Sequence, residues 1–392
     1  MNIKLSFSIA FGALLLIAGC KTKDSPPNPQ DDQLQLNQVQ IIGSHNSYHI
    51  HPSDTIFTFL DSLGNRIPPE YDPKELDYTN VPLANQLGDY GMRGLEIDIY
   101  NDPTGGQYYL RKINQFIPIN DTSFIPDLLL PGFKVLHIKD VDYNSTNYTF
   151  KSALTSIKTW SDAHPNHLPI FINIETKEDG PAQNATLAGL GFQPATPFDA
   201  SACDNMDAEI KSVFGNNLDH VLTPDKIRNG LATLNDVVLQ KKWPKLGQCR
   251  GKVVFIMEGP AAAIYPTGHP SLQGRAMFIY ANQGTPEAAF LIMNDAVGQI
   301  DSIKARVRDG YIVRTRADAG TIQARSGDYS GMNAAFASGA QVTSTDYYRP
   351  DPRGAISGSG WTNYVVKFPN GEIGRKNIIN ADSVSVESTL KE

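Results

Sequence analysis

Apolar residues along this chain come in short runs, each bounded by Gly, Pro, Asn or Asp and each giving way to polar residues at its C-terminal end. The clearest are Val39 to Gly43, Leu95 to Tyr100, Val135 to Ile138, Pro169 to Glu175, Val253 to Met257, Ala289 to Met293, Tyr311 to Arg314 and Gln341 to Ser344. Their length and turn-forming borders predict strands. Met277 to Ala281 competes with Ala289 to Met293 for the sixth place, and periodicity does not separate the two. Between the runs lie helix-compatible stretches such as Tyr148 to Ala163 and Met206 to Phe214. No internal repeat is visible.

Strands alternating with helices predict an α/β fold, and about eight of them predict a TIM-like (β/α)8 barrel, with room for distortion. The connection Gly180 to Gln248 reads as a long insertion after the fourth strand, too long for one barrel turn. A composition of 41% hydrophobic and 19% charged residues is that of an ordinary globular protein. One barrel domain is expected over residues 38–392.

Residues 1–19 carry an early positive charge, Lys4, and then an apolar run from Ile9 to Ala18 that is too short to span a bilayer. This is the pattern of a signal peptide. Its end, Ile17-Ala18-Gly19-Cys20, resembles the bacterial lipobox, which makes Cys20 the expected lipid-modified first residue of the mature chain. Residues 20–37, rich in Pro, Asp, Gln and Asn, are then expected to be the lipidated cysteine and a flexible tether. The expected location is the bacterial cell envelope, as an exported lipoprotein at the outer membrane or cell surface, bound to a membrane through its N-terminal anchor. A net charge of -7 argues against nucleic acid as a partner, since that needs a basic footprint. No protein partner is indicated. Cys203 and Cys249 are either a disulfide or two separate buried thiols, and no Cys spacing suits a thiolate metal site.

In a parallel barrel, reactive groups sit where the strands end and the loops converge. The first strand here runs into Gly43-Ser44-His45-Asn46-Ser47-Tyr48. The second carries Glu96 and Asp98, two residues apart and so on one face. The third ends near His137, and the fourth in Glu175 with Lys177 on the same side. Each has an ordinary explanation alone: alternating acids line wet strand faces, and single histidines are often just partly buried. Four successive strands ending this way point to a reaction site. The hard oxygen donors Asn46, Glu96, Asp98 and Glu175 suit Ca2+, with Mg2+ the less favoured cation. His49, His51, His164, His167, His220 and His269 read as surface residues without a role. No Gly-rich phosphate loop, zinc-protease helix motif or nucleophile elbow occurs.

The opening motif resembles that of the phosphatidylinositol-specific phospholipases C, and Glu96-x-Asp98, His137 and Glu175-x-Lys177 follow in that family's order. Trp243-Pro244, Arg250 to Val254, Val313 to Asp318, Ala337-Ser338-Gly339 and Ser344 to Tyr347 are similar to the bacterial and fungal calcium-dependent branch. The resemblance implies cleavage of phosphatidylinositol-type lipids to diacylglycerol and cyclic inositol phosphate, with a phospholipid or inositol phosphodiester as partner. It implies His45 stabilising charge on the phosphoryl oxygens and His137 as general acid. It implies Asn46, Glu96, Asp98 and Glu175 as calcium ligands, Lys177 and Arg314 contacting phosphate or inositol, and Tyr347 stacking on the sugar ring. The chain from Asp98 to His137 is longer than in the eukaryotic signalling enzymes, so an extra loop is expected to fold back over the site. One alternative is a glycerophosphodiester phosphodiesterase, although that family's opening motif has arginine where Asn46 stands. Another is a non-catalytic envelope lipoprotein binding inositol or sugar, against which the intact His45 and His137 speak.

Overall fold

The structure, a computed structural model, describes residues 28–64, 72–117 and 125–392. The expected leader and Cys20 lie outside the described residues. Among the described residues ten strands form one sheet: β1 (Val39–Ser44), β2 (Gly94–Tyr100), β3 (Lys134–Val135), β4 (Ile170–Thr176), β5 (Val253–Glu258), β6 (Phe278–Ile279), β7 (Phe290–Ile292), β8 (Ile312–Arg316), β9 (Val342–Thr345) and β10 (Gly374–Lys376). Eight are parallel neighbours in the order β6-β5-β4-β2-β1-β9-β8-β7, and a lone parallel bridge from Tyr280 to Phe290 brings β6 beside β7. The result is a nearly closed, TIM-like barrel.

The pairing is uneven. β2 and β4 match along six residue pairs from Gly94↔Phe171 to Ile99↔Thr176, and β4 and β5 along six more. β1 and β2 share a single ladder pair, Gly43 opposite Gly94. A Cβ on Gly43 would stand 2.7 Å from the Gly94 Cα, so the strands cross this closely only because both residues are glycine. The barrel thus has two thin seams, one at the glycine pair and one at Tyr280 and Phe290.

Both segments that competed for the sixth place are barrel strands, β6 and β7. The segment expected as the third barrel strand, Val135 to Ile138, is not one. Only Lys134–Val135 is extended, and it pairs antiparallel with the outgoing end of β2 (Ile99↔Val135, Tyr100↔Lys134). β4 fills the place beside β2 instead, because its full-length apolar ladder outcompetes a two-residue one. The chain that leaves β2 at Tyr100 is therefore back beside it at Lys134 and Val135.

The tether expected over 20–37 is packed from Pro29 onward. Pro29–Gln33 is a short helix, capped at its N-terminus by the Asn28 side chain. The Gln30 amide donates to the carbonyls of Glu387 (3.0 Å) and Thr389 (2.7 Å), and Asp31 pairs with Arg250 at 2.7 Å. Leu34 and Leu36 are fully buried. Leu34 clusters with Val39, Leu168 and Leu246, which lie at or before the starts of β1, β4 and β5. Two leucines in an otherwise polar stretch are enough to seat it beneath the N-terminal end of the barrel. The insertion after β4 is helical, with Ala200–Phe214 packed on Phe150–Ala163. Cys203 and Cys249 are separate buried thiols, raised by burial to about 11 and about 12.

Candidate active site

The loop after β1 is laced to β2. The Ser47 amide donates to the Glu96 carbonyl at 2.9 Å, and the Ser47 hydroxyl accepts from the Glu96 amide at 2.8 Å. Asn80 holds the same loop, donating to the carbonyls of His45 (3.2 Å) and Asn46 (2.7 Å). Asn46 itself takes a left-handed backbone, φ 40°, a conformation asparagine tolerates better than most residues. Its side-chain amide donates to the Tyr78 hydroxyl at 3.0 Å, which leaves its carbonyl oxygen as the uncommitted end.

Strand alternation delivers the acids as expected. Glu96 and Asp98 on β2 and Glu175 on β4 each offer an oxygen within 4.8 Å of the others. Lys177 reaches into this cluster, its Nζ 3.3 Å from Glu175, 3.5 Å from Asp179 and 3.7 Å from Asp98. Burial, and after it the neighbouring Glu175, pushes the Asp98 carboxyl well above the usual range. Burial works against the Lys177 ammonium, but Asp98 and Glu175 outweigh it and raise its pKa.

Two imidazoles flank these acids, each tied to a buried carboxylate. His45 Nδ1 is 2.8 Å from Asp346, and its Nε2 is 3.6 Å from Glu96. Burial and the Arg316 guanidinium hold His45 well below its usual value. Arg316 also binds the other Asp346 oxygen at 3.1 Å, while burial lifts Asp346 to about 6. His137 lies in the turn after β3, its Nδ1 3.0 Å from Asp142. The same Asp142 oxygen takes His49 Nε2 at 2.7 Å. Burial favours the neutral Asp142 acid, but the two imidazoles outweigh it and hold the carboxyl far below the usual range. Burial lowers His137.

Arg314 is committed inside the barrel. It is bonded to Glu96, and also to Ser344 and Asn294 at 3.3 Å each. Tyr347 borders a cleft of about 490 Å³ shared with Asp346, Tyr78 and Arg353, yet its ring packs against Trp361 and Tyr364 and is 2% exposed. His49, expected at the surface, is fully buried and belongs to the site. A loop histidine is drawn inside here because Asp142 satisfies it. His167 is also buried, bonded to Ser161 at 2.7 Å.

Several residues of the site went unassigned in the sequence. Arg316 shares a strand face with Arg314 two residues earlier, and Glu258 ends an apolar strand, so both carried the signal that exposed Glu175. Glu258 accepts from Asn173, and burial raises it to about 7. Asp142 and Asp346 lie in loops, where no period marks them.

The donor set fits a calcium ion. Asn46 Oδ1 is buried without a hydrogen-bond partner among the described residues, and the buried Asp98 carboxylate has only the Tyr48 hydroxyl and the more distant Lys177 ammonium beside it. Such acceptors are costly unless something satisfies them, and a hard cation does so with oxygen donors alone.

The fold and site define a barrel of the phosphodiesterase class. Residues 34–378 match the family of Ca2+-dependent phosphoinositide phospholipases C, and the chain belongs to that family. Among solved structures it is similar to the apo form of a calcium-dependent phosphoinositol-specific phospholipase C from a Gram-negative Pseudomonas species. The two are 16% identical over 89% of this chain and 97% of that one, with a TM-score of 0.51. The myo-inositol complex of that enzyme gives 16% identity, the same coverage and a TM-score of 0.50. No curated protein sequence matches at a significant level.

Proposed function

We propose that this protein is a calcium-dependent phosphodiesterase that cleaves phosphatidylinositol-type lipids to diacylglycerol and cyclic inositol phosphate. The observation that carries this reading is the pairing of two carboxylate-tethered imidazoles around a cluster of three convergent acids, with the buried Asp98 among them. Asn46, Glu96, Asp98 and Glu175 would hold the calcium, which supplies charge neutralisation at the phosphate and acidifies the attacking hydroxyl.

His45, donating Nδ1–H to Asp346, keeps a lone pair on Nε2. It takes the proton of the inositol 2-hydroxyl and, once charged, faces the phosphoryl oxygens. The oxygen–phosphorus bond forms, the bond to diacylglycerol breaks, and His137 gives a proton to the departing glycerol oxygen. Asp142 holds the His137 ring and stabilises its charged form before that transfer. Lys177 sets charge beside Glu175 and Asp98, where the headgroup enters.

An apolar rim supports a lipid substrate. Leu110, Phe116, Leu129, Leu130 and Leu190 are 40–58% exposed, on the loops that follow β2 and β4. Phe116 stacks on Phe192 beside a cleft lined by Phe59, Leu60 and Leu187. Such a rim suits the headgroup boundary of a bilayer. The lipobox-like Cys20 supports attachment of the chain itself to a bacterial envelope membrane.

The test is incubation with phosphatidylinositol and, separately, with glycerophosphoinositol, in calcium and in chelator. Calcium-dependent diacylglycerol and cyclic phosphate, lost in His45→Ala, is the expected result. Cleavage of the deacylated diester alone assigns the protein to glycerophosphodiester chemistry, and binding without turnover to a binding lipoprotein.

A further inference from the structure

Two ends of the barrel face opposite ways, and the chain uses both. His45, Glu175, Glu258, Arg316 and Asp346 lie at the outgoing ends of β1, β4, β5, β8 and β9. Pro29–Gln33 and Leu34 are fixed under the incoming ends, against Leu246, Arg250 and Leu168, and Leu36 enters the barrel core with its amide bonded to Pro244. Residues 21–27 alone link Cys20 to Asn28. Fully extended, that link reaches about 28 Å. A folded body of this length is about 50 Å across.

From this geometry we infer that the anchored protein does not reach the bilayer that holds it and works in trans, on phosphatidylinositol in an apposed membrane. The inference rests on the lipid-anchor and phospholipase readings above. The anchor leaves from the base of the barrel while the site and its apolar rim open at the top. Turning the mouth toward the anchoring membrane needs the tether to pass along the whole outside of the body. Unseating the base would lengthen the tether, but this strips Leu34 and Leu36 of their burial and breaks the Asp31–Arg250 pair and both Gln30 bonds. The rim then meets lipid from another cell, vesicle or leaflet brought against it.

The test uses the full, lipidated chain reconstituted in phosphatidylcholine vesicles. Phosphatidylinositol is placed either in the same vesicles or in separate ones, and hydrolysis is followed as the vesicles are diluted. In trans the rate per enzyme falls with vesicle concentration, whereas true cis hydrolysis is unaffected by dilution. For the natural chain, same-vesicle hydrolysis is expected to fall with dilution as the trans reaction does. An insert of about 40 Gly/Ser residues before Asn28, with a contour of about 130 Å, is expected to restore dilution-independent hydrolysis. The gain is about tenfold or more in dilute vesicles, since a linker that cannot span its sites gives almost no effective concentration. Dilution-independent hydrolysis by the natural chain overturns the inference. So does an insert that leaves cis hydrolysis absent while trans hydrolysis persists. Failure of the readings beneath shows separately: Cys20 without lipid by mass spectrometry removes the anchor, and no hydrolysis by Cys20→Ala in solution removes the activity.

Discussion

Asp142 accepts two imidazoles on a single oxygen, which fixes what each ring can do. With Nδ1–H given to the carboxylate, His137 presents Nε2 to the site. Asp142→Asn offers an amide whose donor end opposes the same ring nitrogens. It is expected to lower kcat by about 10²–10⁴-fold while leaving KM within a few fold. Because Asp142 works through His137, adding His137→Ala to it should cost little more than His137→Ala alone, as steady-state kinetics of the double variant will show. Equal and additive losses would assign Asp142 to holding the fold.

At the scale of elements, the glycine pair of β1 and β2 and the helix Ala200–Phe214 give the sharpest expectations. Gly43→Ala forces a methyl against the Gly94 backbone and should cost about 2–3 kcal/mol in chemical denaturation, with no side-chain rearrangement able to absorb it. Glu209, on the helix and 8% exposed, is raised by burial to about 7. Its folded pKa lies above its unfolded one, so the folded state keeps a proton that the unfolded state releases. Stability is therefore full below about pH 4.5 and falls as pH rises toward 7. Glu209→Gln should raise stability at pH 8 by on the order of 1–3 kcal/mol and change little at pH 4, measured by thermal melts at both.

The elements also show what could be read from the chain. Strand positions were legible because buried parallel strands leave apolar runs with turn residues at their borders, as in Ile170–Thr176 and Val253–Glu258. That Glu96 and Asp98 share a face followed from alternation, and what set them apart was the company of polar groups ending the neighbouring strands. Val135 to Ile138 misled because a four-residue apolar run says nothing of its partner, and β4 had the longer ladder. The carboxylates behind each histidine stayed hidden, since Asp142 and Asp346 reach their imidazoles through loop geometry. Leu34 and Leu36 sit in a polar stretch whose average composition conceals their burial.

Across the whole molecule, the convergence of Glu96, Asp98 and Glu175 makes the native state a receptor for calcium that the unfolded chain cannot be. Calcium at about 100-fold over its Kd should raise Tm by roughly 3–6 °C relative to chelator, read by calorimetry. Asp98→Asn should abolish most of that rise while leaving the melt in chelator unchanged or higher, because it removes a buried charge.

The two thin seams divide the barrel into a pair of jaws. One jaw, β2, β4, β5 and β6, carries Glu96, Asp98, Glu175 and Glu258; the other, β7, β8, β9 and β1, carries Arg314, Arg316 and Asp346, with His45 directly after β1. Arg314 clasps Glu96 across the divide. The reacting groups are thus split between halves whose strands pair at a single register position on either side, with a few backbone bonds from the adjoining loops, so whatever fills the mouth also grips both jaws. Amide hydrogens at Gly94 and Phe290 should exchange with solvent before those of the β4 ladder, and a headgroup that bridges the jaws should slow them first.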